Sequence, residues 1–223
     1  RHWTPWLREA LQAFADDGVQ DLVGVIMAAQ ETEASLARYQ EAVERARGIE
    51  GAPRVRYVTG WGLSEGVIEA HACNLARTYA RLPIEARASA SLLFTAHSIP
   101  VPMAKASPYV AQLEETARRA AEKIGITKHR LVYQSRSGSP RDPWLEPDIL
   151  DALDEEKRAG ASDVVVAPIG FLCDHVEVLY DLDIEAQQKA RELGIRVHRV
   201  ATPGAHPAFI SALADAVERV LGD

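Results

Sequence analysis

Short apolar runs alternate with amphipathic stretches along the whole chain. The runs within Asp21–Ala28, Val55–Thr59, Ser91–Thr95, Leu131–Gln134, Val164–Ile169 and Ile195–Val200 are the length of buried strands. Between them, apolar residues recur at helical spacing. Thr4-Pro5 opens the first such stretch, in which Trp6, Leu7, Ala10, Leu11 and Phe14 repeat until Gly18. Further helices are expected over Ser35–Arg47, Gly66–Tyr79, Tyr109–Lys123, Pro147–Arg158, Asp174–Glu192 and His206–Leu221. Gly48, Gly125, Gly160 and Gly194 act as stops. Alternating strands and helices predict an α/β protein with parallel sheets. Two sets of three strands are expected, with a boundary at 94/95: a first Rossmann-like unit over 1–94 and a second over 95–223.

In such sheets ligands bind beyond the carboxyl ends of the strands. The loops there include Ala96–Pro108, Ser135–Pro147 and Gly170–Asp174. Two of these are long and proline-rich, which in a compact fold favours function over idle connection.

The chain has 223 residues and a net charge of −7. Acidic and basic residues are interspersed, with no basic stripe, so nucleic acid is not an expected partner. No apolar run is long enough for a transmembrane helix. Cys73 and Cys173 stand far apart without a CxxC pairing, which fits a reducing cytoplasm better than a disulfide scaffold.

The candidate chemistry lies in three loops. In Thr95-Ala-His-Ser-Ile-Pro100, His97 follows a strand end, where it can serve as metal ligand or base, or cap the turn. Phe171-Leu-Cys-Asp-His-Val-Glu-Val-Leu-Tyr-Asp-Leu-Asp-Ile-Glu185 starts a helix. Glu177, Asp181 and Glu185 repeat there at i, i+4, i+8, forming an acidic stripe that a nearby cation would stabilise. A solvated acidic face is the alternative for Asp181 and Glu185. Asp174 complements the helix dipole, and His175 is expected to brace the turn. Glu177 is the residue placed to face His97 across a cleft. The third loop, Tyr133–Pro147, carries Trp144, which either stacks on a planar ligand or anchors its own loop.

These motifs together resemble the ferrochelatase family, which inserts ferrous iron into porphyrins. The matching segments are Thr95–Pro100, the loop from Gln134-Ser135 to Pro143-Trp144-Leu145, and Gly170-Phe171 through Asp181. The wording of the loops is closest to bacterial enzymes that use coproporphyrin III. The resemblance implies two Rossmann-like, chelatase-type three-layer domains around a porphyrin cleft, with the first lacking its leading strand. It implies ferrous iron and a porphyrin (coproporphyrin III or protoporphyrin IX) as substrates. His97 and Glu177 become the catalytic and metal-site pair, and Asp181 and Glu185 an outer ladder for a hydrated divalent cation. Tyr39, Ser135 and Trp144 become porphyrin contacts. No cysteine follows Cys173, so no iron–sulfur cluster is expected. Gln30 and Cys173 depart from residues commoner in the family. The competing expectations are a truncated, non-catalytic tetrapyrrole- or metal-binding protein and a chelatase for another tetrapyrrole.

Overall fold

The computed structural model describes residues 3–32, 35–139 and 141–222. The elements alternate as the pattern predicts: α1 (Leu7–Asp16), β1 (Asp21–Val25), α2 (Ala37–Ala46), β2 (Arg54–Val58), α3 (Glu65–Arg81), β3 (Ser91–His97), α4 (Val101–Lys105), α5 (Tyr109–Lys123), β4 (Arg130–Gln134), α6 (Ile149–Arg158), β5 (Asp163–Ala167), α7 (Val176–Val178), α8 (Ala186–Leu193), β6 (Arg196–Arg199) and α9 (Pro207–Gly222). A π-helical turn, Leu179–Glu185, joins α7 to α8.

The strands form two parallel sheets. β1 pairs with β2, from Asp21 opposite Arg54 to Val25 opposite Val58. The second sheet has the order β4-β3-β5-β6. The expected division into three and three strands is therefore corrected: β3 belongs to the second sheet, and a boundary at 94/95 would cut through it. The physical reason is burial on both faces. Leu92, Phe94 and Ala96 pack on one side, with Tyr109, Leu113, Ala117 and Ala121 of α5. Leu93 faces the other side with Ile149, Ala152 and Leu153 of α6 and Ala186 and Ala190 of α8. A strand covered on both faces sits in the middle of a three-layer unit. β5 is the same kind of strand, with all five residues buried, and each fully buried valine contributes roughly 1.5–3 kcal/mol.

α9 also departs from the expected division. It packs on α3, β1 and β2. Phe209 and Ala216 join Val58, Trp61, Val67 and Ala70 in a third cluster. α3 is thereby shared, since its Leu75 belongs to the core of the second sheet. The helix approach is close at Gly66, where a Cβ would lie 2.3 Å from the Ala208 carbonyl oxygen.

The order β4-β3-β5-β6 fixes where a ligand can sit. From β3 the chain crosses to β4 on one flank. From β5 it crosses to β6 on the other. The crevice at such a switch lies beyond the carboxyl ends of the two diverging strands, here His97 on β3 and the loop that follows β5.

Candidate functional site

His97 is the last residue of β3, and Glu177 lies in α7 just after the β5 loop. The loop reaches β3 because residue 170 is glycine: a Cβ there would stand 2.6 Å from the Ala96 Cβ and 2.8 Å from its Cα. Gly170 N–H donates to the Thr95 carbonyl at 3.1 Å. The two expected partners do meet. His97 Nε2 lies 3.9 Å from Glu177 Oε1. His175 Nδ1 is 4.0 Å from the other oxygen of the same carboxylate, and its ring packs edge-on against Phe171.

The imidazole is oriented from behind. Its Nδ1 is 2.5 Å from the Ser98 carbonyl oxygen, an acceptor, so Nδ1 carries a proton, and in the neutral imidazole it is Nε2 that presents a lone pair toward Glu177. Tyr109 hydroxyl donates to the His97 carbonyl at 2.9 Å, and burial pushes that phenol's pKa up. A neutral Nε2 and a carboxylate oxygen are both electron-pair donors. Their 3.9 Å gap is too long for a hydrogen bond and within the reach of two metal–ligand bonds of about 2.0–2.2 Å each.

Both side chains line a cleft of about 940 Å³. Its walls are apolar: Leu7, Leu11 and Phe14 of α1, the β1 strand, and Tyr39 and Val43 of α2. That size is at the upper end of small-molecule sites. Tyr39 is thus one of the residues that line the cleft.

The rest of the predicted site is arranged differently. Asp181 does not join Glu177 in the cleft. Its carboxylate accepts a short hydrogen bond from Ser135 hydroxyl and a longer one, 3.3 Å, from Gln134 Nε2. Asp181, Glu185, Gln134 and Ser135 line a second pocket of about 220 Å³ together with Asp148. The acidic stripe is therefore shared between two concavities, and a π turn, not the expected continuous α-helix, carries Asp181 and Glu185. Turns of this kind are frequent at functional sites. Among the described residues, no group of three or more histidine, cysteine, aspartate and glutamate side chains is gathered to hold a metal ion.

Ser135 has φ 60°, a left-handed conformation that costs a non-glycine residue about 1–2 kcal/mol. Trp144 is not among the residues lining the cleft. It packs over Gly138, where a Cβ would come within 2.5 Å of its ring. Its neighbours Pro143 and Leu145 exchange main-chain bonds with Val101 and Ile99 at 2.9 and 3.0 Å. It occupies the position of a loop anchor.

Two features went unread in the sequence. Asp148 caps α6 by accepting from Leu150 N–H at 2.8 Å, and burial raises its carboxyl pKa, with the charges of Asp151 and Asp181 adding to the effect. The aspartate after a proline at a helix start was a legible capping signal. Asp174 is gripped by both terminal nitrogens of Arg199, at 3.1 Å each, while Arg199 Nε lies 2.6 Å from Asp183. No local pattern links residues 174 and 199. That clamp needed the β5–β6 pairing to be seen.

Fold and site together define a two-sheet α/β protein whose switch-point crevice sets a histidine and a glutamate in the lining of an apolar cleft. The chain belongs to the ferrochelatase family, whose sequence model matches residues 1–221. It is 39% identical to the coproporphyrin III ferrochelatase of Streptomyces coelicolor, aligning over 100% of this chain and 65% of that protein. The corresponding figures for the coproporphyrin III ferrochelatase of Nocardia farcinica are 40%, 94% and 62%. For the ferrochelatase of Rhodopirellula baltica they are 39%, 100% and 64%. The chain thus spans a little under two thirds of these relatives. Its fold is similar to that of SirB from Bacillus subtilis solved with Fe3+ (TM-score 0.72, 14% identity, 99% of this chain and 79% of that one).

Proposed function

We propose that this chain inserts ferrous iron into a porphyrin, coproporphyrin III foremost, in the formation of heme. One observation carries the reading: two electron-pair donors, His97 Nε2 and Glu177 Oε1, lie 3.9 Å apart in the lining of a cleft with apolar walls. The names of the Streptomyces and Nocardia relatives support the choice of porphyrin.

Metallation replaces two pyrrole N–H protons by one divalent ion, so the site must accept protons while the iron sheds water. Neutral His97 accepts one proton at Nε2, and its Nδ1–H bond to Ser98 stabilises the imidazolium that results. Glu177 shares the work, as ligand to the incoming iron or acceptor of the second proton. The α1 and α2 walls hold the flat ring and exclude water. Tyr39 forms part of that wall, while Asp181 and Glu185, beside Ser135, serve the passage of hydrated cations and protons between the site and solvent. Both cysteines are free, which agrees with a cytoplasmic setting, and no described helix is long and apolar enough to cross a membrane.

Anaerobic mixing of the purified protein with coproporphyrin III and ferrous iron tests the reading through loss of the free-porphyrin fluorescence. The wild-type chain is expected to turn over. His97→Ala is expected to bind porphyrin but fall at least about a hundredfold in rate, as removal of a general base does. Near-normal turnover by that variant would remove His97 from the mechanism.

A further inference from the structure

We propose that Gln134 is a positioning residue for this reaction, holding the π turn in register with the His97–Glu177 pair. The inference rests on reading the cleft as the chelation site. Gln134 ends β4 and pairs in register with His97 on β3. Its side chain is completely buried. From there the two hydrogens of Nε2 are shared among three acceptors: the Asp181 carboxylate at 3.3 Å, the main-chain carbonyl of Glu177 at 3.4 Å and the Ser135 hydroxyl at 3.5 Å. These bonds are individually long, but they converge on one donor group. Gln134 Oε1 is buried and has no hydrogen-bond partner among the described residues. Turning the amide over would set that oxygen against a carboxylate and a carbonyl, so the chemistry of the acceptors fixes its orientation.

The consequence is geometric. One amide reaches both the backbone of Glu177, which faces the cleft, and the carboxylate of Asp181, which faces the second pocket. It also ties both to the strand next to the one that carries His97. A hydrocarbon side chain here would supply the volume without the donor. A glutamate would place a negative charge beside Asp181. Glutamine alone of the three holds the two acids at a set spacing across the transition from α to π.

Two variants and one cycle test this. Gln134→Met keeps the volume and removes the donor. It is expected to lower kcat about tenfold or more, the usual effect of losing a group that orients an active-site ligand. KM for ferrous iron should rise while KM for coproporphyrin stays within about twofold. Gln134→Glu should do the same more severely, and serves if the methionine variant folds poorly. In an Asp181→Asn background, Gln134→Met should add far less than it does alone, because the two act as a unit. A general packing defect would instead be additive and would disturb porphyrin binding too, and that result would overturn the proposal.

Hydrogen exchange supplies an arm independent of turnover. Amides of residues 178–185 should exchange faster in Gln134→Met, with those of β3 unchanged. Unchanged exchange in the π turn would also overturn the proposal. A wild-type chain without chelation would refute the functional reading alone, leaving exchange to decide whether Gln134 holds the turn.

Discussion

Ser135 combines two opposing contributions in one residue. Its backbone is held at positive φ, and its hydroxyl gives Asp181 a short hydrogen bond. Removing the hydroxyl while keeping the strain should destabilise more than removing both. Ser135→Ala is expected to cost about 1–3 kcal/mol, the loss of a bond to a partly buried carboxylate. Ser135→Gly loses the same bond but relaxes the backbone, so it should be less destabilised than the alanine variant by about 1 kcal/mol. Urea unfolding of the three proteins would show the order, and a glycine variant less stable than the alanine one would mean that the φ carries no strain. At this scale the sequence is informative about identity and poor about direction. The strand-end histidine and the i, i+4, i+8 acids were visible as chemistry. Which pocket each acid faces depends on a turn geometry that no spacing rule assumes, since the rule presumes 3.6 residues per turn.

At the level of elements, the site depends on how closely the β5 loop can pass the end of β3. Gly170 makes that approach possible, with Ala96 in the space a side chain would need. Gly170→Ala is expected to shift the loop outward and cost about 1–3 kcal/mol of overpacking. Because α7 follows directly, the His97–Glu177 gap should widen and chelation should fall more than stability does. Parallel measurement of melting temperature and rate would check this, and equal losses in both would count against a special role for the approach. Element types were largely legible, since continuous apolar runs mark strands buried on both faces. Partners were not. Nothing in Ser91–Thr95 says which sheet it joins, because β3 earns its place through pairing with β4 and β5 far along the chain.

Over the whole molecule, stability should be coupled to pH through a group remote from the chemistry. His71 in α3 is buried, its Nε2 has no hydrogen-bond partner among the described residues, and desolvation lowers its pKa to about 4. An unfolded histidine titrates near 6.5. Between those values the unfolded chain holds the extra proton, so this contribution is present above about pH 6.5 and is lost as pH falls toward 4. The full loss is on the order of 3 kcal/mol. His71→Leu should flatten that part of the profile. Equal slopes for wild type and variant, from chemical unfolding at several pH values, would place the sensitivity elsewhere.

The return of α9 to β1 and β2 bears on how the protein is made. The helix that covers the smaller sheet emerges from the ribosome long after both of its strands. Until then Val58, Trp61 and Val67 have no Phe209 to pack against. The larger unit, assembled from neighbouring segments, can settle first. The smaller one must wait through a distant, entropically slow closure, so the packing behind the apolar wall of the cleft is completed only after the core of the larger unit.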